Sequence, residues 1–298
     1  MTSSSAPIAY LQRTREYYLA LGYDNPYRWA HFDDVPFTPL QKPLTEAKIA
    51  IVTTASPYQP DKGDQGPGAP YNASAKFYQV YAKSTAEDPD LRISHIAIDR
   101  DHTKADDIGA FFPLNALKSL AADGMLGEIA PRFFGLPTNR SQRTSLDTDI
   151  PLLVDEVLAD QVDAVVLMPN CPICHQSVSL AARALEAANV PTVIMGCALD
   201  IVEHCGVPRF FFSDFPLGNS AGRPHQPHEQ RQSLLMALQL LETAKTPRHT
   251  VQSPYIWAED HGWKADYSNP AKLTPEEIAK RRAAFDQGKS EAKALRKG

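Results

Sequence analysis

The sequence predicts an α/β protein: one three-layer domain with a mostly parallel, Rossmann-like sheet and helical N- and C-terminal extensions. Three observations carry this. Short β-branched or apolar runs alternate with longer helical segments, the order that parallel strands joined by crossover helices require. Those runs are apolar throughout, as expected of strands covered on both faces. Apolar residues make up 43% and charged residues 22% of 298 positions, enough for a sizeable core. No repeat or low-complexity stretch divides the chain. The expected organisation is an N-terminal extension (1–45), a core (46–245) and a C-terminal extension (246–298).

The first element is a helix over about Ile8 to Leu21, followed by the irregular stretch YDNPYRWAHFDDVPFTPL. Lys48 to Ala55 reads as a buried strand ending in small hydroxyl residues. Residues 56–72, SPYQPDKGDQGPGAPYN, are rich in Pro and Gly, and a long loop directly after a strand often contributes to a site. Arg92 to Ile98 reads as a second strand. PLNALKSLAADG, from Pro113, is a helix with Pro at its start and Gly just past its end. A helix over Ile150 to Asp160 precedes the strand Ala164 to Met168. The helix after it stops near Asn189, at the NVP that leads into the strand Pro191 to Met195. Leu199 to His204 is a short helix, Arg209 to Phe212 a last strand and Gln226 to Ala244 a helix. The tail from Thr274 reads as an exposed charged helix, frayed at its end.

A net charge of −5 with dispersed acidic residues excludes the basic face that nucleic acid or an anionic membrane requires. The opening MTSSSAPIAYLQRTREYYLA lacks the basic-then-apolar pattern of a secretory leader, and no apolar run approaches the ~20 residues of a membrane span. A cytoplasmic protein with no membrane and no nucleic-acid partner is expected. Four cysteines in a chain of this length are no disulfide framework, so each is expected as a free thiol.

Ligands of open α/β sheets bind beyond the carboxyl ends of the strands. Here those ends supply Thr53-Thr54-Ala55-Ser56, Asp99 to His102, Pro169-Asn170-Cys171, Gly196-Cys197 and Ser213-Asp214. In VVLMPNCPICHQS, Pro172 suits the first helical position, which makes Cys171 the N-cap and puts Cys174 one turn in. Backbone N–H groups and the helix dipole stabilise a thiolate there. His175 is adjacent but points about a quarter-turn away.

Three readings of the pair stand side by side: a redox or nucleophilic site, two thiols packed under a helix start, or half a zinc site. Zinc would draw on Cys197, Cys205 or His204, although no second pair has the spacing of a finger or ribbon. A thioredoxin-like domain would carry the motif earlier, in a smaller fold. His95 has the phase of a buried strand residue, whereas Asp99 and His102 lie past the strand end, where proton transfer is placed. His225 and His228 read as the approach to a helix. FPLGNSAGRP, with Arg223, is a candidate anion-binding loop without the spacing of a phosphate loop or dinucleotide fingerprint.

DAVVLMPNCPICHQSVSLAARALEAANVPTVIMG, FFFSDFPLGNSAGRP and ISHIAIDRDHTKADDIGAFFPLNALKSLAADGMLGEIAPRFFG resemble the selenoprotein B family of glycine, sarcosine and betaine reductases. They are nearest to the proline reductase B subunit and its cysteine-containing homologues. The resemblance covers about Pro39 to Leu241. It implies reductive cleavage, in which a selenolate or thiolate attacks carbon next to a leaving heteroatom and a neighbouring thiol resolves the adduct. It places Cys174 where the proline reductase relatives hold selenocysteine and makes Cys171 the resolving thiol.

On this reading the chain holds no cofactor, and an external dithiol such as thioredoxin restores the pair. His175, Asp99 or His102 supplies the proton. Thr54, Ser56, His95, Asn170, Cys197 and Arg223 position a small polar substrate. The family's reductases employ a partner subunit bearing a pyruvoyl group, which nothing in this chain supplies, so a reductase partner subunit or a homo-oligomer is expected. Two further readings remain: a redox-neutral lyase, racemase or hydrolase with one essential cysteine, and a zinc-containing or subunit-interaction protein.

Overall fold

In this computed structural model, which describes residues 6–25 and 27–295, the first apolar run of the core forms β1 (Lys48–Thr53) in the interior of the sheet. On one side β1 pairs with β7 (Ala164–Met168), followed by β8 (Thr192–Gly196), β9 (Arg209–Phe212) and β10 (His249–Gln252), all parallel. On the other side it pairs in parallel with β5 (Glu128–Ile129) and β6 (Arg132–Gly135). The edge strand β3 (Tyr81–Ser84) is antiparallel to β6. The Ala130-Pro131 step separates β5 from β6, consistent with Pro lacking the ladder N–H.

Numbered among themselves, the parallel strands from β6 to β10 run in the order 2-1-3-4-5-6. A sheet in the strict Rossmann order 3-2-1-4-5-6 does not form. In the observed order the chain leaves β1 toward one edge and later resumes on its other flank, which puts the topological switch point between β1 and β7. That crevice is where ligands of doubly wound sheets bind.

Strands apolar on both faces need a helical layer on each side. Ile49, Ile51, Val166, Met168, Val193 and Met195 pack with α2 (Leu114–Ala122) and α7 (Pro227–Thr243). The intervening residues Ala50, Val52, Val165, Leu167 and Ile194 pack with α4 (Ile150–Ala159), α5 (Pro172–Ala187) and α6 (Leu199–Cys205). The helix α4 continues from the short α3 (Gln142–Thr144) through a π-helical turn, Ser145–Asp149.

Most of α5 is buried, including residues of its outer face, because the irregular N-terminal stretch lies across it. Gln176 accepts from the Ala30 amide at 2.8 Å and donates to the Tyr27 hydroxyl. Arg183 donates to the carbonyls of Asp34 and Gly206 and stacks over Phe32. At the end of the helix Glu186 meets Arg209 at 2.9 Å, both side chains fully buried. The carboxylate also accepts from the Thr38 amide and from the amide and hydroxyl of Thr192. One ion pair thus joins the N-terminal stretch, α5, β8 and β9.

Several expectations are corrected. Residues 92–98 do not form a strand: only β4 (Leu91–Arg92) pairs, antiparallel to β2 (Ser56–Pro57). The β-branched alternation beyond it is a turn-rich loop whose carbonyls are taken by side chains. Arg100 donates to His95 and Ile96, and the Tyr267 hydroxyl donates to Ala97. The strands β3, β6 and β10 were not expected; they are short and lie at or next to the sheet edges. Gly135 is required because a Cβ there would overlap the ring of Tyr81, whose hydroxyl reaches the Ala55 carbonyl at 2.8 Å.

The C-terminal extension is not purely helical either. It supplies β10 and two 3-10 turns, Gly262–Ala265 and Pro270–Lys272, before α8 (Pro275–Leu295). Phe285 of α8 packs edge-on against Tyr18 of α1 (Tyr10–Ala20) and against Tyr23. The expected fraying falls partly on residues 296–298, outside the described residues. Among the described residues no helix is long and apolar enough to cross a membrane.

Candidate active site

The switch point is closed by polar groups from the ends of β1 and β7. The Thr54 hydroxyl accepts from both the amide and the side-chain nitrogen of Asn170, each at 3.1 Å, so the two strand ends are tied side to side. Cys171 follows in an extended conformation and caps α5, with its Sγ accepting from the Cys174 amide at 3.2 Å and Pro172 at the first helical position. A helix start leaves its first amides without backbone partners, and here one of them is satisfied by sulfur.

Cys174, one turn in, is fully buried and faces two residues from elsewhere in the chain. The Thr138 hydroxyl lies 3.2 Å from its Sγ and 3.1 Å from Nε2 of His95. The two sulfurs and a ring nitrogen of His95 lie within 4.8 Å of one another. Both cysteines are free thiols. Burial alone would push the Cys174 thiol up, but it is outweighed. A hydrogen bond from the Cys171 thiol, the charge of His95 and hydrogen bonds from His95 and Thr138 hold Cys174 well below the ordinary thiol value. Cys171 moves the opposite way, raised by burial and by its neighbour's hydrogen bond and charge. The two thiols are therefore shifted in opposite directions, Cys174 down and Cys171 up. Lys76 donates to the Thr138 carbonyl at 2.9 Å and adds positive potential.

Thr138 is absent from the sequence-derived candidates. It lies just past β6, and without that strand nothing in GLPTNR identifies a carboxyl end. The GLPTN stretch after Phe133-Phe134 is the available signal.

His175 sits between two backbone segments. Its Nδ1–H donates to the Cys171 carbonyl at 2.8 Å, and Nε2 accepts from the amides of Cys197 and Ala198 at 2.8 and 3.2 Å. This ring locks the start of α5 to the end of β8 and is held neutral. Burial lowers its pKa from 6.5 to about 4. The unfolded chain takes up this proton below pH ~6.5 and the folded one only near 4, so stability is full at neutral pH and falls with acidification across that window. The loss reaches roughly 3 kcal/mol at 1.36 kcal/mol per pH unit. Urea midpoints measured from about pH 7 to about 4.5 should fall less steeply for His175→Gln than for the parent chain. Parallel slopes would remove this role.

The other candidates divide. His102 is held between Asp99 at 3.0 Å and Asp266 at 3.1 Å. Asp99 is buried, and burial raises its pKa against the opposing effect of His102. Its neighbour Ile98 packs on both cysteines, with Ile93 and Ile173 at the margin of the same cluster. Ser56 is buried in the β2–β4 ladder with its hydroxyl unpartnered, as are Asn170 Oδ1 and His95 Nδ1.

Two candidates are placed elsewhere. Cys197 packs with Tyr10, Phe215 and Trp263, its thiol pushed up to about 12 by burial and its Sγ turned to Ser220. Arg223 is engaged by Glu229 through its amide and guanidinium at the start of α7. The zinc set imagined with Cys197, Cys205 or His204 does not assemble. Cys205 lies in the core beneath α5 and His204 stacks on His31. A cavity of about 20 Å³, room for about one water, lies between the 64–72 and 92–105 segments and is lined by Arg92, Ile93, Ile98 and Arg100 among others; neither cysteine lines it.

No protein-family model matches the chain, and no solved structure matches it. Curated homologues do exist. The chain is 26% identical over 220 residues to the D-proline reductase subunit gamma of Acetoanaerobium sticklandii, covering 74% of this chain and 88% of that one. It is 26% identical over 228 residues to a glycine reductase complex component B subunit gamma from Symbiobacterium thermophilum, covering 74% and 52%. A sarcosine reductase complex component B subunit beta from Peptoclostridium acidaminophilum is 23% identical over 228 residues, covering 74% and 51%. The chain thus spans most of the proline reductase subunit but about half the length of the glycine and sarcosine reductase subunits.

Proposed function

We propose that this chain is the thiol-bearing component of a reductase that cleaves a bond from carbon to a heteroatom in a small polar substrate. The observation that carries the reading is the geometry of the pair: a buried Cys174 one turn into the helix that Cys171 caps, its Sγ 3.2 Å from the Thr138 hydroxyl, in surroundings that lower its pKa and raise that of Cys171. The homologues' names, all reductase subunits, support a reductive role.

In the proposed cycle Cys174 Sγ attacks the substrate carbon, the bond to the heteroatom breaks, and the leaving group departs with the bonding pair and takes up a proton. Cys171, deprotonated, then attacks the Cys174 sulfur. The carbon–sulfur pair passes to carbon, which is protonated, and a Cys171–Cys174 disulfide is left. Two electrons have passed from the dithiol to the substrate, and an external dithiol of the thioredoxin type restores the pair.

The Asp99–His102 unit, next to Ile98 on the thiols, supplies protons in this scheme, while His175 positions the helix start and has no proton free to give. Ser56 Oγ and Asn170 Oδ1, buried and unpartnered, are the groups assigned to hold polar atoms of the substrate. A partner subunit, as the homologues' complexes suggest, would present the substrate to the buried thiols. A cytoplasmic location agrees with the free thiols.

The test is mild oxidation of the reduced full chain followed by mass mapping. Reversible loss of two thiols as a Cys171–Cys174 disulfide is expected. If the pair never joins while one thiol alkylates rapidly, a redox-neutral enzyme with a single nucleophile replaces this reading.

A further inference from the structure

The thiol pair has a third neighbour that the redox cycle uses only as an electrostatic support. His95 reaches the site from a loop about 75 positions earlier in the chain, and its ring nitrogen and the two sulfurs lie within 4.8 Å of one another. Among the described residues this is the only group of three or more His, Cys, Asp or Glu side chains with such spacing and full burial. Zn–S bonds near 2.3 Å and Zn–N bonds near 2.0 Å in a tetrahedron separate ligand atoms by roughly 3.5–3.8 Å. Contraction of the group by about 1 Å would therefore close it on a metal.

We propose that the reduced chain binds one thiophilic divalent cation, Zn²⁺, through Cys171 Sγ, Cys174 Sγ and a ring nitrogen of His95, leaving the fourth position open.

The donors have the right chemistry. Two thiolates and an imidazole form the Cys₂His set, which holds zinc at sites that keep one position for water or a substrate. Carboxylates are absent from this cluster, so the hard cations Mg²⁺ and Ca²⁺, which need oxygen, are not accommodated. Support from outside the ligand shell is in place as well. The Thr138 hydroxyl touches both Cys174 Sγ and His95, and the Cys174 amide is bonded to Cys171 Sγ. The backbone of His95 is pinned by Arg100 at 2.7 Å. On ligation the protons remaining on the thiols pass to solvent, and no electron is transferred. Metal occupancy and the disulfide are mutually exclusive, because both consume the same two sulfurs. The cation would thus hold the pair reduced and unreactive until a dithiol or chelating partner removed it.

The experiment uses the full chain, reduced and stripped of metal, titrated anaerobically with Zn²⁺ against a chromophoric chelator and in parallel with Co²⁺. One equivalent of Zn²⁺ should bind and protect Cys171 and Cys174 from alkylation while Cys197 and Cys205 behave as before. Co²⁺ should give the intense visible bands of a tetrahedral site and a thiolate-to-cobalt charge-transfer band in the near ultraviolet. His95→Ala should weaken Zn²⁺ binding by roughly 100-fold or more, beyond the loss that follows removal of an outer-shell partner.

If His95→Ala misfolds by circular dichroism, the parent chain still decides: an octahedral cobalt spectrum without charge transfer, or alkylation unchanged by Zn²⁺, overturns the site. So does a well-folded His95→Ala protein with undiminished affinity. The outcome is separate from that of the reductase reading, since a chain that forms the disulfide and ignores zinc would keep the first proposal and lose this one.

Discussion

Cys174→Ser is expected to abolish dithiol-dependent turnover, by roughly 10³-fold or more once a substrate is in hand, and to remove the fast-alkylating thiol at neutral pH. Cys171→Ser should behave differently. Serine keeps an O–H that donates to the Cys174 thiolate, so rapid alkylation of Cys174 persists while the intramolecular disulfide and multiple turnover are lost. The substrate adduct on Cys174 would then accumulate and be visible as a mass increase. Thr138→Val separates electrostatics from the nucleophile itself. Without the hydroxyl 3.2 Å from the sulfur, the pH profile of Cys174 alkylation should move to higher pH with the plateau rate retained. Loss of turnover in both variants without the adduct in Cys171→Ser would point to structure, and turnover retained in Cys171→Ser would point to redox-neutral chemistry.

The largest effect on stability is expected at the Glu186–Arg209 pair. Both side chains are fully buried, and burial dominates both shifts, raising Glu186 and lowering Arg209. Replacing Arg209 with Met strands a carboxylate among partners that can only partly satisfy it, at a cost of about 3–5 kcal/mol. Glu186→Leu strands the guanidinium and also the amides of Thr38 and Thr192, so its loss should be at least as large. In the double variant both buried charges are gone and only neutral partners, the amides and carbonyls of Thr38 and Thr192 and the Thr192 hydroxyl, remain unpaired. Its loss, read from urea midpoints, should therefore fall well short of the sum of the singles. Strict additivity would mean that the two charges do not depend on each other. Arg209 also stacks over Phe37 at 4.3 Å and donates to the Thr38 carbonyl. Protease cleavage within residues 27–41 should accordingly accelerate in Arg209→Met, since the pair anchors that segment to the sheet.

Local patterns were legible where their physics is local. Apolar runs with no polar alternation identified β1, β7, β8 and β9, because strands covered on both faces cannot carry exposed residues. Pro172 at the first helical position identified Cys171 as a cap and placed Cys174 one turn in, which depends on four consecutive residues alone. The run from Arg92 to Ile98 misled for the complementary reason. Its alternation suits a strand, but its carbonyls found the Arg100 guanidinium and the Tyr267 hydroxyl, partners that no local window contains.

What the sequence determined by itself is the class of the protein and the placement of its thiols: a mostly parallel α/β sheet, a helix-capped thiol pair, and the likeness to reductase subunits. What surrounds the pair was decided by tertiary structure. Thr138 and His95 reach Cys174 only because β6 lies on one flank of β1 and β7 on the other, so loops from three distant segments open at one switch point. The same arrangement carries Cys197 into a separate cluster and turns His175 into a neutral brace, its two nitrogens facing backbone groups contributed by different strand ends. Such assignments depend on which strand pairs with which, and strand pairing is set by the packing of whole layers that no short stretch of residues encodes.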